Sequence, residues 1–383
     1  MKKCLILILT TLFLMTPFAT AQQKVIKIGA TVAVTGVAST LGDPEKKTLE
    51  MLTEELNSKG GIKGWKIEMI IYDNEGDPTK AVTTLKRLIT KDGVKAVIGP
   101  SRTPDALAMI PVVEEAKIPM IALVAGAPVI HPVKKWVFST AQPNDIVIEK
   151  IASYLKKKNM KKVAIIYSAD AFGEDGYKVL KNVAPKYGLD LVAVESFQSK
   201  DTDMTTQLTK IKAANPHAVL CWAVGPPTVI VMKNFKQLGM DKTMKLIQSH
   251  GVANKKIFQL AGEAGEGVLL PSGKILVAEH LSDKDPQKAA LVKYKRDYES
   301  RFKEPVSTFG GHAYDAFWML VKAIERAGSD NPEKIRDEIE KNTVNFYGTG
   351  GIFTYSPSDH NGLKAKDLVM IEWRNGDWRL IEE

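Results

Sequence analysis

Cysteine is nearly missing from this sequence: Cys4 and Cys221 are the two among 383 residues. A disulfide framework is therefore excluded, and so is any CxxC zinc or redox site. The histidines, at 131, 217, 250, 280, 312 and 360, include no HExxH and no paired metal-ligand spacing. There is no GxxxxGKS or GxxxxGKT phosphate loop, no GxSxG nucleophile elbow, and no GxGxxG after the first strand-like run. Beyond the N-terminus no stretch approaches the roughly 18 apolar residues of a membrane span, and no repeat of solenoid length occurs. The formal net charge is +9, yet no dense basic stripe accompanies it. The clusters Lys156–Lys158 and Lys161–Lys162 suit a helix end, where cations complement the dipole, and no nucleic-acid partner is expected. No metal and no cofactor is expected either.

The chain does have an ordinary globular balance, 44% hydrophobic and 25% charged, over a length suited to two domains. Its N-terminus reads as an export signal. Lys2 and Lys3 precede an apolar run from Leu5 to Phe18, and Ala19-Thr20-Ala21 supplies the small-x-small cleavage pattern, giving a leader over 1–21. Removal of the leader takes away Cys4, which stands too early for a lipid anchor, and lowers the net charge by two. Cys221 then remains alone in a strand-like run, where it reads as a small buried hydrophobe. The expected product is an exported, soluble, periplasmic protein.

From Lys24 to about Gly267, apolar strand-like runs alternate with amphipathic stretches. Strands are predicted at Ile26–Val34, Trp65–Tyr72, Val94–Gly99, Pro119–Val124, Lys162–Tyr167, Leu189–Glu195, Ala218–Val224 and Met244–Gln248. Continuous Val/Ile/Ala runs suit parallel strands covered on both faces, and the alternation predicts an α/β fold with parallel, doubly wound sheets. After about Ser272 the rhythm changes. Leu291, Tyr294, Tyr298 and Phe302 form one helical stripe, and Ala313, Phe317, Leu320 and Ile324 form another, both read as core. From Val344 onward the chain predicts short antiparallel strands with turns at Gly348–Gly351, Asp359–Gly362 and Asn375-Gly376.

In an open parallel sheet, ligands bind beyond the carboxyl ends of the strands, where helix N-termini offer free N–H groups. Each such loop contributes candidates. Ser101 and Thr103 offer hydroxyls, Arg102 a bidentate carboxylate clamp, and Thr103 with Pro104 a helix start with Thr103 as its cap. The loop Ala125-Gly126-Ala127 offers backbone N–H groups and an apolar wall. Phe172 either stacks on a ligand or staples its helix, Trp222 is a second aromatic candidate, and His250 sits on a loop.

Several phrases together resemble one family. They are Ile28-Gly29, Thr35-Gly36, Gly60-Gly61-Ile62, Val97-Ile98-Gly99-Pro100, Ala171-Phe172-Gly173-Glu174-Asp175-Gly176 and His312-Ala313-Tyr314-Asp315. In order and spacing the sequence is similar to the periplasmic solute-binding proteins of ABC importers, in their leucine/isoleucine/valine-binding branch. The resemblance implies a type I two-lobed fold, each lobe a mostly parallel sheet flanked by helices, with the ligand in the cleft between lobes that close by a hinge. Residues 22–141 and 274–346 would form lobe one; residues 142–273 and 347–383 would form lobe two. The chain would cross near Thr140–Pro143, Leu270–Lys274 and Phe346–Gly351. Ser101–Thr103 would hold the ligand carboxylate with backbone of Ala125–Ala127, Phe172 would cover the ligand, and Trp222–Gly225 would add wall. The implied partners are a small carboxylate-bearing solute and a membrane ABC permease, with the binding protein acting as a monomer and not as an enzyme.

Two departures shape the ligand expectation. The loop Ala125–Ala127 lacks the Ser/Thr hydroxyls that help hold an α-ammonium, and His250 stands where the family commonly has an acid. An unpaired buried ammonium costs on the order of several kcal/mol. A hydrophobic or aromatic carboxylate is therefore expected, with an aliphatic amino acid as the alternative. Ligand sensing for a membrane receptor, or an exported hydrolase using His250, are the alternatives of other classes.

Overall fold

The computed structural model describes residues 24–381; the predicted leader and Cys4 lie outside the described residues. Val25–Val32 (β1), Lys66–Asp73 (β2), Ala96–Ile98 (β3), Met120–Ala122 (β4) and Val137–Ser139 (β5) form a parallel sheet in the order β2-β1-β3-β4-β5. A second sheet is built from Lys162–Ser168 (β6), Asp190–Phe197 (β7), Ala218–Trp222 (β8), Lys245–Gln248 (β9) and Leu269–Ser272 (β10), again parallel. Phe346–Tyr347 (β11) and Ile352–Phe353 (β12) pair as a separate hairpin. Val369–Arg374 (β13) and Asp377–Leu380 (β14) then close the second sheet on its β10 side, antiparallel, in the order β14-β13-β10-β9-β8-β6-β7. Asn375 and Gly376, both at positive φ, make the turn of that last hairpin.

The burial of the strands explains why they read so plainly. Every residue of β3, β4, β5 and β8 is buried, because helices cover both faces of a parallel sheet. The first sheet is connected through Ser39–Ser58 (α1), Pro78–Arg87 (α2), Thr103–Ala116 (α3) and Ala127–Ile130 (α4). Asn144–Lys157 (α5), Ala171–Val183 (α6), Thr205–Ala213 (α7), Pro227–Gln237 (α8) and Lys255–Ala261 (α9) serve the second. Lys288–Phe302 (α10), Thr308–Ala327 (α11) and Pro332–Asn342 (α12) return to the first lobe. There Tyr294 meets Thr48 of α1 at 2.8 Å, and Arg301 pairs with Glu54 at 2.8 Å. The two aromatic stripes face the core: Leu291, Tyr294 and Tyr298 are buried on α10 with Phe302 half-buried at its end, and Ala313, Phe317, Leu320 and Ile324 are buried on α11.

Two strands escaped the sequence reading. β5, three residues long like β3 and β4, follows Lys134-Lys135 and runs into the polar Ser139-Thr140 without the longer apolar run that marks those two. β10 carries Pro271, which argues against a central strand. It is tolerated because β10 pairs with β9 only at Leu269↔Ile247, leaving Pro271 beyond that ladder.

The passages between lobes run side by side. Gln142 Nε2 donates to Gly350 O at 2.9 Å, and Asn361 Nδ2 donates to Ser139 O and Ala141 O at 3.1 and 2.8 Å. The third passage differs from the expected boundary at 346–347. Buried Asp315 on α11 accepts from the N–H groups of Thr349 and Gly350, at 2.6 and 2.8 Å, which anchors that turn to lobe one. Tyr355 and His360 still pack against Phe138 of the β5 strand. The chain reaches the second sheet only after Asn361, at β13.

Candidate functional site

The loops that follow β3, β4, β6, β8 and β9 meet around a cavity where the lobes face each other. Its walls are largely apolar, with Leu41, Leu123, Val124, Val224, Phe172 and Phe309 among them, while Ser101, Arg102, Thr103, Asp170, His250 and His312 supply the polar side chains.

Ser101 closes β3 toward α1. Its hydroxyl accepts from the Ala33 N–H at 3.0 Å and shares a short hydrogen bond with the carboxyl of Glu45. Arg102 is not a free clamp. Nη1 donates to Gly76 O at 2.6 Å, and Nη2 reaches Asp170 Oδ2 at 3.3 Å, so the guanidinium joins the two lobes. Asp170 meanwhile caps α6, accepting from the N–H groups of Phe172 and Gly173, each at 3.0 Å. Thr103 is the first residue of α3, not its cap: Arg102 holds the cap position and no side chain caps this helix. The Thr103 side chain is thus left to face the cavity beside the Pro104 turn.

Of the loop after β4, Ala125 lines the cavity, whereas Gly126 and Ala127 do not. The Ala127 N–H is taken by Asp175 Oδ2 of α6 at 2.9 Å. Gly126 is glycine for a packing reason, since a Cβ there would collide with the Thr103 side chain. Trp222 also stays out of the cavity. It is completely buried at the end of β8, donates Nε1–H to Asn144 Oδ1 at 3.2 Å, and stacks at 6.1 Å on Phe172. Asn144 in turn donates to Asp175 at 2.7 Å. Trp222 therefore backs Phe172 and begins a chain of hydrogen bonds that ends on the opposite lobe.

His250 lies in a short helical turn capped by Ser249 and is buried at the cavity wall, edge-on to both Phe172 and Trp222. Neither ring nitrogen has a partner in hydrogen-bonding geometry. Burial pushes its pKa down to about 4, offset in part by the Gln142 backbone. The sequence reading noticed His312 within a family-like phrase and not as a site residue. It projects from α11 into the same cavity with Nδ1 unpartnered, and burial, with His250 nearby, lowers its pKa to about 3. The wall thus presents two neutral imidazoles from opposite lobes, and only the packing of α11 on α1 brings the second one there. Among the described residues, no group of His, Cys, Asp and Glu is arranged to hold a metal ion.

This architecture, two α/β lobes around an interlobe cavity, defines a solute-binding protein of the type I bilobed class. The chain belongs to the periplasmic binding protein family, whose model matches residues 25–377. It is similar to the leucine-, isoleucine-, valine-, threonine- and alanine-binding protein of Pseudomonas aeruginosa, 27% identical over 350 residues, covering 91% of this chain and 90% of that protein. It is also similar to the Leu/Ile/Val-binding protein of Escherichia coli K12, 24% identical, covering 92% of each. Among solved structures, an extracellular ligand-binding receptor from Rhodopseudomonas palustris HaA2 superposes with a TM-score of 0.86. It is 32% identical and covers 93% of this chain and 99% of that one. These relatives are solute-binding proteins and not enzymes. Among the described residues, no helix is long and apolar enough to cross a membrane.

Proposed function

We propose that the chain is the solute-binding subunit of an ABC importer and captures a hydrophobic or aromatic carboxylate that carries no α-ammonium. The observation that supports this reading is the composition of the cavity wall. The carboxylate there, Asp170, is committed to Arg102 and to the first N–H groups of α6, and at position 250 a neutral imidazole stands in place of an acid. An ammonium placed in this cavity would meet no free negative partner. A ligand carboxylate would meet the start of α3 with the Ser101 and Thr103 hydroxyls, and the apolar wall would take the remainder. Uptake would follow by docking of the closed, monomeric protein on a membrane permease in the periplasm. A branched-chain amino acid is the second reading, favoured by the names of the relatives. Calorimetry with benzoate, 4-hydroxybenzoate, leucine and valine separates the two. Saturable binding of an aromatic acid with leucine silent is expected; tight leucine binding without any aromatic-acid binding overturns the first reading.

A further inference from the structure

Behind the cavity, Glu45 of α1 is completely buried, and its Oε1 has no hydrogen-bond partner. No ion pair among the described residues reaches it, and its one polar contact is Ser101. Ser101 Oγ also accepts from the Ala33 N–H at 3.0 Å, a bond whose direction is fixed because a backbone N–H only donates. A hydroxyl has one proton and two acceptor positions, so the state of Glu45 decides what Ser101 offers the cavity. An ionised Glu45 takes the Ser101 proton in a hydrogen bond, leaving a lone pair toward the ligand. A neutral Glu45 donates its own proton to Ser101, whose hydroxyl is then free to donate outward.

We infer that Glu45 is a positioning residue for anion capture: as a neutral acid it holds Ser101 as a hydrogen-bond donor toward the ligand carboxylate. This rests on the reading that a carboxylate seats at the Ser101–Thr103 loop. Complete burial without a cation disfavours the charged form of Glu45 and lifts its pKa well above the usual carboxylate range. The neighbouring groups reinforce it. Asp105 on α3 acts on Glu45 in the same raising direction, and Arg102 is already balanced by Asp170. From α11, packed on α1, come neutral His312 and Asp315, the latter bonded to Thr349 and Gly350. From α10 comes Tyr294, bonded to Thr48. None of these supplies a positive partner.

The test is calorimetric titration with benzoate, and with leucine in parallel, from pH 6 to pH 9. Wild type should lose affinity as Glu45 ionises, approaching about tenfold per pH unit at the alkaline end. Glu45→Gln, whose amide N–H still donates to Ser101, should bind with a flatter profile than wild type. Ser101→Ala, which deletes the donor and leaves the buried acid in place, should be equally flattened at lower affinity throughout. Asp105 titrates in the same range in all three proteins, so any slope that it adds is common to them and the difference from wild type reads Glu45. A Glu45→Gln profile that falls in parallel with wild type, or a Ser101→Ala profile that does, overturns the role of Glu45 while leaving carboxylate binding intact. A wild type that binds neither benzoate nor leucine overturns the carboxylate reading itself and this inference with it.

Discussion

Both carboxylate oxygens of Asp105 are buried without a hydrogen-bond partner, and burial raises its pKa to about 7, with Arg102 opposing. A folded-state pKa above the unfolded value means a contribution fully present below pH 3.8 and lost as pH rises through about 7. His250 and His312 act in the opposite sense. Their lowered values mean a contribution present above pH 6.5 and lost as pH falls toward 4 and 3. Asp105→Asn should therefore melt higher than wild type at pH 8 and show little difference at pH 4, a contrast that thermal denaturation across that range will measure. Thr103→Ala should weaken carboxylate binding by about 1–3 kcal/mol in calorimetry, since its hydroxyl is free of any capping duty. At this scale the sequence showed which loops carry polar groups and not how those groups are engaged. Arg102 looked available because nothing local reveals Asp170, which lies 68 positions along the chain. His312 does not stand out as a site residue because the stripe on α11 marks only that helix's apolar face.

The strand–helix alternation was readable because parallel strands are covered on both faces and so become unbroken apolar runs. Eight strand predictions fall on β1 to β4 and β6 to β9 with ends displaced by one or two residues in most cases. What the pattern could not show is close approach between elements. Gly176 of α6 lies against Trp222, and a Cβ at that position would strike the indole ring. Gly176→Ala should push α6 outward, carrying Phe172 and Asp170 with it, and destabilise the protein by about 1–3 kcal/mol. Urea denaturation followed by tryptophan fluorescence will report the loss. The same variant should bind ligand more weakly, because the aromatic cover moves off its Trp222 backing.

The two lobes touch through Arg102 and Asp170, through Asp175 and the Ala127 N–H, and through Asn254 Nδ2, which donates to Thr40 O at 3.0 Å. Each of these contacts joins residues of opposite lobes, so hinge motion that separates the lobes would break them. Asp170→Asn should shift the balance toward separated lobes and reduce affinity. Small-angle scattering should show a smaller radius of gyration for wild type with ligand than without, and a larger ligand-free radius for the variant. Two domains followed from length alone. Their interleaving came through the family resemblance, and the late third passage did not come at all: Gly348–Gly351 has the composition of a crossing, and only the buried Asp315 behind it shows that it is tied down.

That late passage bears on how the molecule is made. The strands of the first sheet are all complete by Ser139, yet α10, α11 and α12, which cover part of it, begin only at Lys288. Meanwhile the five parallel strands of the second sheet have emerged and can pair among themselves. During synthesis, then, the apolar face of the lobe begun first stays uncovered while about two-fifths of the chain emerges, and the second sheet is itself completed only by β13 and β14 at the end. Such a delay keeps the binding site from assembling until late in synthesis.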